Sequence, residues 1–204
     1  NVLNNVITNF QKTGILSIGI GNTSLIRGNY IAGLGPTPNI AQNGIQVSGG
    51  ATGDIFNNRV NDVIYSQCAP GNCSASSAGI ILFEPGTGLT VRFNKINTTQ
   101  TGILGLTVTS ATFTNNEIFN SQVYDGIYLL DSNFNTIRQN QIFASDEAAV
   151  YLDGVSTGNT VTQNLIEDAP VGIIDGGVSS SISNNLFISV GQNVASPVVI
   201  GPPA

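Results

Sequence analysis

With 204 residues, twelve acidic against six basic side chains and not one histidine, the chain is long enough to bury the core of one domain, and every histidine-based triad and most zinc or copper sites are excluded. A net charge of −6 argues against nucleic acid, whose binding rests on phosphate neutralisation, and no apolar run approaches the ~18–20 residues of a membrane helix. Only 9% of residues are charged, while Gly, Asn, Val, Ile, Thr and Ser abound, a composition of strands and tight corners.

One unit recurs from the start of the chain: apolar, two residues, Asn, any residue, apolar. It opens as Val2-Leu-Asn-Asn5-Val-Ile7 and returns around Asn29, Asn58, Asn94, Asn116, Asn140, Asn164 and Asn185. The eight anchors are 24, 29, 36, 22, 24, 24 and 21 residues apart. A second motif interleaves with the first at Gly14-Ile15, Gly44-Ile45, Gly79-Ile80, Gly102-Ile103, Gly126-Ile127, Ala149-Val150 and Gly172-Ile173. From each of these to the next anchor is 13 to 15 residues, whereas from each anchor to the next Gly is 8 to 21. One arc of every repeat is nearly fixed and the other absorbs the insertions.

That partition predicts a solenoid: turns of three short strands and three corners, stacked ~4.8 Å apart with strands of successive turns paired in parallel. The apolar residues three before and two after each anchor should point inward. The anchor itself is expected at a sharp bend, in the left-handed conformation that Asn tolerates, with its carboxamide bonded to those above and below in a ladder. Pro197-Val198-Val199-Ile200 has the pattern of an eighth Gly-Ile-type strand. No amphipathic helix is expected at either end of the column, so each end is a sheet edge to be capped by a further segment or by a stacked second chain. Absence of any methionine, even at position 1, suggests a mature or excised part of a longer chain, read as one domain over residues 1–204. Cys68 and Cys73 flank a Pro-Gly turn, which favours a disulfide over two free thiols. Such a small ring adds roughly 2 kcal/mol, and a disulfide implies a secreted or periplasmic location.

These motifs resemble the right-handed parallel β-helix repeat proteins of the pectate-lyase-like superfamily, in the Asn-x-Ile anchor, the Gly-Ile-x-Leu strand and the Asn ladder, over residues 2 to about 200. The resemblance implies an all-β, single-stranded parallel β-helix of about eight turns. Function is left open, because the superfamily holds lyases, hydrolases, epimerases, adhesins and phage spikes. It also implies that the working surface is the outer face of the Gly-Ile strands. There one row reads Leu16, Gln46, Ile81, Leu104, Tyr128, Tyr151 and Ile174, and the next Ile18, Ser48, Phe83, Leu106, Leu130, Asp153 and Gly176. Rows this apolar are expected to contact a covering loop, a second chain or a ligand. Tyr128 and Tyr151, in adjacent turns, form an expected carbohydrate platform with Phe83 and Glu84.

Asp131, Asp153 and Asp175 close the Gly-Ile strand in three successive turns, as Glu84 does earlier. Neighbouring turns would set carboxylates ~5 Å apart and alternate turns ~10 Å, which brackets glycosidase spacings. The resemblance to polygalacturonase-like enzymes makes the three the expected catalytic group, although they lie five, four and three residues after the strand start. Ordinary turn openers and a calcium site are the alternatives; no cofactor and no other metal is expected. Arg27, Arg92 and Arg138 fall two residues before an anchor, and Arg59 and Lys95 just after one. They read as a solvated face, with an anionic-sugar track as the functional alternative. Insertions 32–43 and 61–78 leave the same corner and should wall the Ile81, Phe83 and Leu104 region. Asn22-Thr-Ser24, Asn72-Cys-Ser74 and Asn97-Thr-Thr99 are glycosylation sequons, relevant to a eukaryotic source. A row of Thr90, Thr112, Thr136 and Thr160 is flanked by Arg92 and Arg138, unlike the flat array an ice-binding face needs. The functional expectation is an extracellular or periplasmic protein that recognises a polysaccharide, with hydrolase or lyase activity in view. The second reading is a spike, fibre or adhesin segment that assembles through its apolar face and ends.

Overall fold

The computed structural model describes residues 1–67 and 76–196, and among these there is no helix. Three eight-stranded sheets are formed, every third strand in sequence joining the same sheet and every pairing being parallel. The chain is thus a right-handed parallel β-helix of about eight turns. Sheet one carries the residues that lead into each anchor Asn and sheet two those that follow it. Sheet three is made of Thr13–Ile18, Asn43–Ser48, Ala78–Phe83, Thr101–Leu106, Ile127–Leu130, Ala148–Leu152, Val171–Asp175 and Gln192–Ala195. Turns two to seven each bury at least one apolar side chain from every sheet, with a second such as Leu82 or Leu129 from sheet three in some of them. In turn four these are Val91, Ile96 and Ile103, all fully buried, and burying each contributes about 1.5–3 kcal/mol.

The anchor carboxamides form one continuous ladder. Nδ2 of Asn5, Asn29, Asn58, Asn94, Asn116, Asn140 and Asn164 each donates to Oδ1 of the next anchor at 2.9–3.0 Å. The backbone N–H of the same residue donates to that same oxygen, as Asn94 does to Asn116 at 3.0 Å. The second Nδ2 hydrogen reaches back to the carbonyl three residues before the preceding anchor, as from Asn116 to Val91 at 2.9 Å. Each carboxamide therefore ties three turns together. Its orientation is fixed, because a backbone N–H can only donate and so must face the amide oxygen. Asn94, Asn116 and Asn140 are at most 1% exposed, yet no polar atom of theirs lacks a partner, as a buried amide requires.

The left-handed residue at this bend is not the anchor but the residue before it. Asn4, Asn57, Phe93, Asn115, Gln139, Gln163 and Asn184 have φ of 53–57°, and Gly28 has 67°. The bend needs one residue of positive φ, and placing it there leaves the anchor free to aim both its N–H and its carboxamide along the axis. A second left-handed corner falls four residues after the anchor at Asn9, Asp62, Thr98, Asn120, Ala144, Asp168 and Ser189. Phe93 and Thr98 are poor left-handed residues, held there by the pairing of the turns on either side.

Close approach accounts for the glycine of the second motif. A Cβ on Gly102 would lie 2.4 Å from the carbonyl oxygen of Gly126 in the next turn and 2.6 Å from the Ile118 side chain. Ala149 departs from the glycine in turn six and Asn193 in turn eight. In turn eight the sheet-three strand is Gln192–Ala195, where Val194 pairs with Ile173. The expected strand at 197–200 is thus displaced, and those residues lie outside the described ones, as do Cys68, Cys73 and the Asn72 sequon. Both insertions leave the corner between sheets two and three; the first begins by lengthening sheet two, where Tyr30–Thr37 pairs with Arg59–Tyr65 across a register shift. A shorter, unexpected ladder stands at the corner between sheets three and one, where Asn135 Nδ2 donates to Asn159 Oδ1 at 3.1 Å.

Substituting Asn116→Ala strands the Asn94 N–H and carboxamide, and removes donors from Val91 and Asn140. Each buried group left unpaired costs about 1–3 kcal/mol, so denaturant unfolding should show a loss of roughly 3–5 kcal/mol. Asn5→Ala, at the exposed first rung, should lose about 1 kcal/mol or less. Equal losses would contradict the ladder's role.

Candidate functional site

The outer rows of sheet three are in register as the repeat predicts: Leu16, Gln46, Ile81, Leu104, Tyr128, Tyr151 and Ile174 pair turn by turn. Exposure along them is uneven. Leu16 and Ile18 are 53% and 55% exposed and Phe83 45%, whereas Leu104 is nearly buried and both tyrosines are half-buried. Tyr128 and Tyr151 pack edge to face with ring centroids 4.8 Å apart, so one ring presents a face and the other an edge. Phe83 and Glu84 are exposed in turn three, with turn four between them and Tyr128.

The three expected catalytic aspartates do not form a row. Asp175 pairs with Leu152, whose own partner is Leu129. Asp153 stands one residue further along its turn, and Asp131 further still. Two of them open turns: Asp153 is buried and accepts the N–H of Ser156 at 2.9 Å and its hydroxyl, and Asp175 accepts the N–H of Gly177 at 3.1 Å. Asp131 is exposed at a left-handed corner, φ 48°.

A tighter cluster stands at the opposite edge of the same strands. Asp125 is 1% exposed; its Oδ1 accepts the Ala148 N–H at 3.0 Å, and its Oδ2 is buried without a partner. Burial, and secondarily the negative charge of Glu147, holds its carboxyl well above the usual carboxylate range against the opposing Ala148 bond. Burial raises Glu147 as well. Tyr128 is pushed up to about 12, by burial first and then by Tyr151, Asp125, Asp153 and Glu147. Tyr151 and Tyr124 are raised by burial and then by Glu147 and Asp125. Leading into the cluster, Val123 has φ 95° and donates its N–H to Asp146 Oδ2 at 2.9 Å; positive φ in a β-branched residue is a strained backbone.

Reading the rows after each glycine missed this cluster, because Asp125 lies before its glycine. A signal existed: the equivalent positions are Thr13, Asn43, Ala78, Thr101, Ala148 and Val171, so Asp125 is the one ionisable residue in that column. Asn43 shows what the position does, its Oδ1 accepting the Ala78 N–H at 3.3 Å. Asp125 makes the same bond with a carboxyl that burial shifts towards its protonated form. A carboxyl that burial biases towards its neutral form, a second carboxyl one turn on and a pair of phenols stand within two turns, groups of the kinds that give a proton, take one and stack on a ring.

A family model described as periplasmic copper-binding protein (NosD) matches residues 39–197. Among solved structures, an alginate lyase from Paenibacillus sp. str. FPU-7 is similar with TM-score 0.52 and 16% identity, over 91% of this chain and 76% of that one. The periplasmic alginate epimerase AlgG is similar with TM-score 0.53 and 15% identity, over 94% of this chain and 44% of that one. This chain thus spans less than half the length of the epimerase. At such identities the likeness is one of fold. No curated protein sequence matches the chain.

The raised Asp125 carboxyl fixes a pH dependence. The folded state holds the proton that the unfolded chain releases near 3.8, so stability should fall as pH rises above about 4 and level off once folded Asp125 ionises. Asp125→Asn should flatten that fall and raise the melting midpoint at neutral pH by several degrees, since about 1 kcal/mol moves a domain of this size by roughly 2–4 °C. Parallel melting-versus-pH curves for the two proteins would contradict the assignment.

Proposed function

The chain belongs to the NosD family, and on that footing we propose that it is a periplasmic or extracellular carbohydrate-active β-helix whose sheet-three face, around turns five and six, binds a polysaccharide. The observation that carries this reading is the unpartnered Oδ2 of buried Asp125 beside the Tyr128–Tyr151 pair. A sugar ring has apolar C–H faces that suit the tyrosine rings and hydroxyls that suit the phenols and carboxyls. Neutral chains fit better than polyuronates. Glu84, Asp125, Asp131, Asp146, Glu147, Asp153 and Asp175 lie on or beside sheet three, and among the described residues the one cation at its edge is Lys12, whose Nζ donates to the Ala41 carbonyl.

Asp125 is the proposed general acid, in a step that requires its side chain to swing outward from the Ala148 N–H, because its Oδ2 is buried at rest. It passes its Oδ2 proton to the glycosidic oxygen as the C–O bond breaks, while Glu147 takes a proton from the water that adds to the anomeric carbon. Asp131, Asp153 and Asp175, at the far edge of the strands, are proposed to line the end of the groove.

Among its described residues, which exclude Cys68 and Cys73, the chain offers copper no fitting donor set. It has no histidine and no methionine, the imidazole and thioether ligands copper favours. Among the described residues no group of three or more Cys, Asp or Glu side chains converges. Calcium at the aspartates likewise has no such group to hold it among the described residues.

A second reading, assembly through an apolar face, draws support from turn one, where Leu16, Ile18 and the 93%-exposed Ile20 stand together. A neutral-glycan array with a reducing-sugar assay separates the two. Tyr128→Ala and Tyr151→Ala should each weaken binding about tenfold, and Asp125→Asn should retain binding while losing product release. Unchanged binding in both tyrosine variants, or a concentration-dependent oligomer with no glycan affinity, would favour assembly.

A further inference from the structure

The corner between sheets one and two, away from the tyrosine face, gathers five of the chain's six basic side chains. Arg27, Arg92 and Arg138 end strands of sheet one, and Arg59 and Lys95 open strands of sheet two. We propose that turns two to four of this corner form a binding site for a carboxylated glycan, separate from the sheet-three face and independent of the function proposed for that face.

Register makes the patch compact. Arg27, Phe56 and Arg92 are neighbours in one row, and Tyr30, Arg59 and Lys95 in the next. The Phe56 ring is flanked by both guanidiniums, at 5.3 Å from Arg27 and 4.3 Å from Arg92, and Arg59 lies 5.9 Å from the Tyr30 ring. Such contacts restrict the arginine side chains before any ligand arrives, which lowers the entropy lost on binding. Asp54 holds Arg92 through Nε at 3.0 Å and Nη2 at 2.6 Å, and Glu117 holds Lys95 at 2.8 Å. Among the described residues Arg27 and Arg59 form no ion pair, so four cations face two carboxylates and two guanidiniums remain open.

The chemistry points to a charged sugar. A guanidinium offers two parallel N–H donors to a carboxylate. Exposed Tyr30 and Phe93, 38% and 48% accessible, offer flat rings to the apolar face of a pyranose. Turns ~4.8 Å apart match about one ring of an extended sugar chain, so successive carboxylates meet successive turns. Beyond Phe93 the corner continues as a groove lined by Asn115, Glu117, Gln139 and Gln141, where the exposed carboxamides of Gln139 and Gln141 suit sugar hydroxyls. A nucleic acid would instead need a run of phosphates neutralised, which two open cations on a chain of net charge −6 do not supply.

Calorimetric titration with tetragalacturonate, neutral cellotetraose and a single-stranded oligonucleotide tests the site, at low and at physiological salt. Tetragalacturonate should bind, more weakly as salt rises. The double variant Arg27→Gln/Arg59→Gln should weaken that binding tenfold or more, as the loss of a charge-assisted bond of about 1.5 kcal/mol implies, with an unchanged melting midpoint because both side chains are exposed. Tyr128→Ala should leave it intact, so that failure of this site and failure of the sheet-three reading are told apart. No tetragalacturonate binding, equal binding by the double variant, or tighter binding of the oligonucleotide through the same arginines would overturn the proposal.

Discussion

A carboxamide that bonds to the turn before it and the turn after it is the constraint on which the molecule rests. Because each anchor oxygen takes two donors and each anchor nitrogen reaches two acceptors, neighbouring turns cannot slip past one another without breaking several buried bonds together. Slippage is the ordinary weakness of sheets made of similar strands, and the ladder fixes register in all three at once. It also explains where insertions go. The arc from glycine to anchor runs through sheet three, the close-packed glycine and the approach to the ladder, whereas the arc leaving the anchor ends at a corner open to solvent.

Charge is divided around this frame. Carboxyls collect on and beside sheet three, and cations collect at the ladder corner, held against aromatic rings. A chain of net charge −6 thereby offers two unlike surfaces, one acidic with a tyrosine pair and one locally cationic. Asp125 belongs to the first for a reason visible in the repeat: its column needs an acceptor for the next turn's N–H, Asn43 supplies one without charge, and Asp125 supplies one that can also give a proton.

Much of the architecture was legible because the solenoid writes each structural need into the sequence once per turn. The eight anchors, the inward positions and the paired rows of sheet three could all be read from spacing. Two misjudgements have physical causes. Positive φ was assigned to Asn5 and its equivalents on residue preference, but the backbone bends one residue earlier because the anchor's side chain is needed elsewhere. The last sheet-three strand was placed by its apolar run at 197–200, whereas pairing selects Gln192–Ala195, where Val194 pairs with Ile173. The one-residue offsets among Asp131, Asp153 and Asp175 were legible too, in their counts of five, four and three from the strand start, and the strand pairing has the same offsets. Two features were present but unread: the Ser-x-x-Asn unit repeated at Ser132–Asn135 and Ser156–Asn159, and the lone acid before Gly126.

Hydrogen exchange of the anchor carboxamides, followed by nuclear magnetic resonance, bears most directly on the ladder. The Nδ2 protons of Asn58, Asn94, Asn116 and Asn140 should exchange only through global unfolding, as slowly as the most protected backbone amides. If those protons exchange at the rate of exposed asparagine side chains while the backbone stays protected, the strands hold the stack without the ladder, and the carboxamides are not what fixes the register of the turns.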